Sequence, residues 1–299
     1  MKKRFGTIDL GTNTFHLLIV EMDEHGEIRR LYKERQFVHL GEGGVGHLLP
    51  EAMQRGWATL HHFLNMLNEN QVEQFRAVGT SALREADNAS EFIEKAKELG
   101  IDIEVISGLE EARLICKGVQ LALGDERHRQ LIMDIGGGSV EFIISKEGRI
   151  EWSGSFPLGV AVLYKLTAGE DPLEHNTIDK LVSYIRTNLE SLNKALREFP
   201  PELFVGASGS FEVLDAFENN NERIHKCSYL SKDDFQVLYN ELLPSTLQER
   251  LEMPAIPESR ASLIVVAFIL INEVLKLFNG MPWLYSPYAL KEGILSEMK

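Results

Sequence analysis

The chain has 299 residues, 44% of them apolar and 25% charged, enough for one large or two medium domains with sizeable cores. A net charge of −14 argues against a general nucleic-acid binder, whose phosphate contacts need a basic surface. Cys116 and Cys227 lack any CxxC spacing and the histidines are scattered, which argues against zinc and points to a reducing cytoplasm.

The basic start, MKKRFG, meets an aspartate before any apolar segment of signal-peptide length. TIDLGTNTFHLLIV (7–20) then reads as a strand, a tight polar turn and a returning strand. A further strand-like run holds Arg29, Arg30, Lys33 and Arg35. It is either a solvated strand-and-turn face or a local anion-binding surface. Met53, Trp57, Leu60, Phe63, Leu64 and Leu67 share one face of an amphipathic helix. FRAVGTSAL (75–83) and IDIEVIS (101–107) read as strands, with Arg84 in the loop after the first. SGLEEARLICKGVQLAL (107–123) opens a helix with a capping box, in which Glu110 reaches back to the backbone N–H of Ser107. Glu111 is not needed for that box. It is either a carboxylate that orients water or a second acid at the start of a helix.

After the polar stretch GDERHRQ (124–130), IMDIGGGSVEFIIS (132–145) repeats the first unit at a constant offset of 125. Asp9 pairs with Asp134, Gly11 with Gly136 and Thr14 with Ser139, while His16 falls opposite Glu141. Glu141 is thus either an exposed alternating residue or a ligand for metal and water. Helical spacing follows at Ile178, Leu181, Val182, Ile185, Leu189 and Leu192, then the strand and turn ELFVGASGS (202–210). The longest apolar run, Leu263 to Ile271, is too short for a bilayer and reads as a buried helix. Trp283, Leu284, Tyr285 and Tyr288 either form an exposed patch that joins a homodimer or pack a terminal strand and helix into the core. Strands followed by helices, twice, imply two α/β domains with duplicated loops facing each other across a cleft.

Glycine lets a turn bring backbone N–H groups against a phosphate. Gly11, Thr12, Asn13 and Thr14 form one such turn, Gly136, Gly137, Gly138 and Ser139 a second, and Gly206, Ser208, Gly209 and Ser210 a third. An aspartate on a buried strand before each of the first two, Asp9 and Asp134, is costly unless it meets a cation. No Walker A sequence is present, and GGGSVE is not a dinucleotide fingerprint.

These segments resemble the exopolyphosphatase/guanosine pentaphosphate phosphatase (Ppx/GppA) family, in the superfamily of actin, sugar kinases and heat-shock ATPases. IDLGTNTFH, VGTSALREADN (78–88), ISGLEEARLI (106–115), MDIGGGSVE (133–141) and GASGS (206–210) follow the family's motifs in order. The resemblance implies two ribonuclease H-like (actin-like) domains with mixed sheets facing an interdomain cleft. The first is expected over 1–124, with the last helix, 289–299, packing back on it, and the second over 125–288. It implies Glu111 as catalytic base, Asp134 and Glu141 as holders of metal (Mg²⁺ or Mn²⁺) and water, with Asp9 as a further metal ligand. Arg84 and the loops grip phosphates.

The implied reaction is attack of a carboxylate-activated water on the terminal phosphoryl group of inorganic polyphosphate or guanosine pentaphosphate (pppGpp), without nucleic acid or membrane as partner. A small-molecule kinase of the superfamily and a non-catalytic polyphosphate or alarmone sensor are the alternatives. Departures from the family pattern at Ser262, Ala267, Pro287, Tyr288 and Lys291 bear on the last of these. Lysine cannot reproduce the bidentate fork of arginine.

Overall fold

The structure, a computed structural model, describes residues 2–24, 28–124, 126–207, 209–218, 227–278 and 280–298. The chain divides into two compact units, residues 1–118 with 290–299 and residues 119–289. The sequence-based boundary at 124/125 lies later because it follows the polar stretch. The last turn of the helix over 108–123 goes with the second unit instead, its Gln120 side chain lying against Gly148.

In unit 1 the order is β1 (Lys3–Leu10), β2 (Thr14–Met22), β3 (Ile28–Phe37), α1 (Pro50–Glu69), β4 (Gln74–Gly79), α2 (Ser81–Glu85), α3 (Ala89–Glu98), β5 (Ile103–Val105) and α4 (Gly108–Leu123). Unit 2 continues with β6 (Gln130–Ile135), β7 (Val140–Lys146), β8 (Arg149–Phe156), α5 (Val160–Lys165), α6 (His175–Asn188), α7 (Glu190–Glu198), β9 (Leu203–Ala207) and α8 (Gly209–Glu218). It ends with β10 (Ser228–Tyr229), α9 (Lys232–Leu242), α10 (Leu247–Glu252), a 3₁₀ turn (Glu258–Arg260), α11 (Ile264–Leu275) and β11 (Trp283–Ser286). The final helix, α12 (Leu290–Leu295), belongs to unit 1, where it packs on β1.

The duplication extends to topology. The unit 1 sheet runs β3-β2-β1-β4-β5, antiparallel among its first three strands and parallel from β1 to β5. In unit 2 the order β8-β7-β6-β9-β11 repeats this pattern strand for strand, with β10 added antiparallel at the edge. Both chains of strands bury nearly continuous apolar runs, as central strands of an α/β sheet must. The two mixed sheets with flanking helices make an α/β fold.

Several local expectations change. FRAVGTSAL is a strand only to Gly79; from Ser81 it turns into the one-turn helix α2, so Arg84 sits on a helix and not in a loop. The face from Ile178 to Leu192 is split at Leu189 into α6 and α7, although Leu181, Ile185, Leu189 and Leu192 are all buried. Trp283, Leu284 and Tyr285 are at most 7% exposed, so they pack into the core, while Tyr288 is half-buried. Residues 264–271 are buried throughout in α11.

Candidate active site

In unit 1, β1 ends at the first turn, where the Gly11 N–H donates to the Thr14 carbonyl at 3.0 Å. Register places Asp9 opposite His16, and His16 opposite Arg35, so the three form a row across β1, β2 and β3. Directly opposed residues of antiparallel strands share a face. Thr12 is buried, and Asn13 and Thr14 are half-buried.

Glu111 enters from α4. Its backbone N–H donates to the Ser107 carbonyl at 2.9 Å, which fixes it in the first helical turn, and it is 7% exposed. The Arg84 Nη1 lies 3.0 Å from its carboxylate and donates to the Ile106 carbonyl at 3.0 Å, while Nε donates to Glu85 at 3.2 Å. The expected base and the expected phosphate-gripping arginine are therefore partners of each other. Glu110 also differs from expectation. Its N–H donates to the capping Ser107 Oγ at 3.2 Å, but its carboxylate turns to Arg113, three residues on. That pairing holds the Glu110 carboxyl below the ordinary glutamate range.

In unit 2, the second turn closes in the same way, Gly136 N–H to the Ser139 carbonyl at 2.9 Å. Asp134 lies opposite Glu141, and Glu141 opposite Ser155, whose hydroxyl donates to Glu141 Oε1 at 2.7 Å. Glu141 is 2% exposed, which removes the reading of it as an exposed alternating residue. Two carboxylates directly opposed on one face are unfavourable unless protonated or shared by a cation. Hard oxygen donors of this kind fit Mg²⁺ or Mn²⁺. Among the described residues no three His, Cys, Asp or Glu side chains are grouped to hold a metal ion by themselves. Asp9 belongs to unit 1 and Asp134 with Glu141 to unit 2.

The third turn is the junction of β9 and α8. Gly206 is glycine because a Cβ would stand 2.2 Å from the Phe211 ring. At Gly209 the Arg260 guanidinium, the far end of a flexible side chain, lies where a Cβ would stand. Ser210 is buried in the first turn of α8, and Ser208 lies outside the described residues.

A model of the Ppx/GppA phosphatase family matches residues 18–299. The chain belongs to that family. It is 32% identical over 306 aligned positions to the guanosine-5'-triphosphate,3'-diphosphate pyrophosphatase of Photobacterium profundum, covering 98% of this chain and 59% of that protein. The chain thus spans 59% of the length of this curated relative. Among solved structures, an exopolyphosphatase from Cytophaga hutchinsonii superposes with a TM-score of 0.94 at 40% identity, over 99% of this chain and 97% of that one. The Aquifex aeolicus Ppx/GppA family member superposes at 0.82 with 23% identity, over 99% and 97%, and shows the same fold.

Of the positions where the sequence departs from the motifs it resembles, Ala267 is buried, and Ser262, Pro287, Tyr288 and Lys291 are half-buried. Ala267 is 1% exposed in α11, and the Lys291 Nζ lies 3.2 Å from Glu292, whose side chain is buried. Ser155 escaped the motif reading because its link to Glu141 depends on strand register. Arg260 escaped as a contact because nothing in sequence brings it to Gly209. Among the described residues no helix is long and apolar enough to cross a membrane.

Proposed function

We propose that this Ppx/GppA protein hydrolyses the terminal phosphoanhydride of inorganic polyphosphate, of pppGpp, or of both, with Mg²⁺ or Mn²⁺. The observation that carries the reading is the opposed Asp134–Glu141 pair beside a glycine turn, a donor set suited to a cation that travels with phosphate. When bound, that cation neutralises phosphoryl oxygens and lowers the charge barrier to attack. Glu111 orients the water and accepts its proton, from a buried position that keeps its rotamer fixed. Arg84 holds that carboxylate and donates to phosphoryl oxygens as charge builds there. The turns 11–14 and 136–139 supply backbone and hydroxyl donors to the bridging phosphates. Support for the substrate class comes from the relatives' names, a pentaphosphate-processing enzyme and an exopolyphosphatase.

The test is phosphate release from long-chain polyphosphate, pppGpp and ATP, with and without Mg²⁺. The expected result is Mg²⁺-dependent release from polyphosphate or pppGpp and none from ATP. Tight binding of either without release would replace hydrolysis by sensing, and transfer from ATP to an acceptor would make the protein a kinase.

A further inference from the structure

Each glycine turn has a back side, and in both units it is held. In unit 2, the Val160 N–H donates to the Gly136 carbonyl at 3.0 Å and the Ala161 N–H to the Gly137 carbonyl at 2.9 Å. A peptide unit is planar and trans, so its C=O and N–H point in opposite directions. Tying down those two carbonyls therefore aims the N–H groups of Gly137 and Gly138 away from α5. Neither N–H has a protein acceptor among the described residues, although Gly138 is buried. Buried backbone donors are nearly always satisfied, so the Gly138 N–H calls for an acceptor on the side facing away from α5, and the half-buried Gly137 N–H points the same way.

The approach of α5 depends on Gly159. A Cβ there would stand 2.3 Å from the Gly137 carbonyl oxygen and 2.4 Å from the carbonyl carbons of Gly137 and Gly138, all backbone atoms that cannot step aside. Unit 1 reaches the same result by another route. There the Gly41 N–H donates to the Thr12 carbonyl at 3.0 Å and the His39 N–H to the Asn13 carbonyl at 2.9 Å. Thr12 and Gly137 are repeat equivalents at the offset of 125, yet the segment behind one is a loop and behind the other a short helix. Gly41 is tight as well, with a Cβ position 2.5 Å from Thr12 Cγ2.

We infer that Gly159 is a positioning residue for substrate: it lets α5 lock the second turn with its N–H groups presented to phosphoryl oxygens. The inference rests on the phosphate-hydrolysing reading above. Two variants test it. Gly159→Ala pushes α5 off the turn. Val160→Pro deletes the donor to Gly136 without adding a Cβ against the loop, and Gly159, at ψ 152, already has the extended backbone that precedes proline.

The measurements are calorimetric binding of tripolyphosphate in EDTA, KM and kcat on long-chain polyphosphate, and the thermal melt. Losing one aimed donor to a charged oxygen should weaken tripolyphosphate binding by about ten-fold or more. KM should rise in step while the Val160→Pro melt stays near wild type; Val160→Pro carries the test alone if Gly159→Ala does not fold. Folded variants that bind tripolyphosphate as tightly as wild type would overturn the inference. Wild-type binding without turnover would overturn hydrolysis only, leaving the inference to be judged by the binding arms. Absence of wild-type binding in EDTA would overturn the inference alone, since hydrolysis is judged by phosphate release with Mg²⁺.

Discussion

Replacing Arg84 by alanine would test the Arg84–Glu111 pair as an energetic unit. Glu111 is 7% exposed and its carboxylate lies 3.0 Å from Nη1, whereas the Arg84 side chain is 21% exposed. Removing one member of a fully buried pair costs about 3–5 kcal/mol, because the other charge is left in a poor solvent. The partial exposure of Arg84 lets water reach the vacated side, which brings the expected loss to about 2 kcal/mol. Glu111→Gln should cost less, about 1 kcal/mol, since Arg84 keeps the Ile106 carbonyl and Glu85. The double variant should fall short of the sum by about 1 kcal/mol.

Stability can be followed by hydrogen exchange over residues 108–118 of α4, which isolates unit 1 from any separate unfolding of unit 2. Activity on polyphosphate should collapse in both single variants, and Arg84→Lys should recover only part, because one ammonium cannot reach Glu85, Ile106 and Glu111 together. The sequence alone favours the opposite stability result, an Arg84→Ala protein nearly as stable as wild type. Additive single effects on α4 exchange would refute the pair as a unit.

Gly293→Ala places a Cβ 1.8 Å from the Leu114 carbonyl oxygen, so α12 must lift off α4. A loss of about 2–3 kcal/mol and faster exchange in the C-terminal segment are expected, and an unchanged melt would contradict the contact. The Glu297 carboxyl is lowered to about 2, chiefly by hydrogen bonding to Arg113 and then to Lys117. A folded-state pKa below the unfolded one gives stability that is present above pH 4.5 and lost as pH falls toward 2. With its partial exposure the contribution is about 1 kcal/mol, and Glu297→Gln should flatten the acid limb of denaturant melts between about pH 5 and 2.5. Glu218 is the reverse case, raised to about 7, mainly by burial. The folded state then holds the proton that the unfolded state has released, so this site loses stability as pH rises from 4.5 to 7. Glu218→Gln should raise stability by about 1 kcal/mol at about pH 8 and leave it unchanged at about pH 4.5, read by paired melts.

Much of the fold was legible because the chain states it twice. Aspartate, glycine and hydroxyl at fixed spacing announce a strand, a turn and a return, and the short turn fixes which residues face each other. What spacing could not show was where one regular element yields to another inside a continuous apolar run. In FRAVGTSAL the Gly79-Thr80-Ser81 stretch ends the strand, but a helix as short as α2 is too brief to display a period. The break at Leu189 was hidden for a related reason, since α7 takes up the apolar phase that α6 leaves. In Glu110 two local options compete, the backbone of Ser107 and the guanidinium of Arg113, and the charged partner wins. At the site, residue types could be read from motifs, but the Arg84–Glu111 contact joins α2 to α4 and Ser155 reaches Glu141 only through register.

Because unit 1 takes its final helix from residues 290–299, its making on the ribosome is interrupted. Strand β1 and the N-terminal part of α4 are translated early, yet Leu290, Ile294 and Leu295, all buried in the finished protein, arrive only after residues 119–289. At about 5–20 residues per second, that interval is on the order of ten to thirty seconds, during which an apolar face of the nascent chain stands uncovered. The second unit is encoded in one uninterrupted stretch and has no such wait. Synthesis therefore favours completion of the later-encoded unit first, and a chain truncated just before Leu290 would release a folded second half tethered to an open first half, a species suited to capture by chaperones.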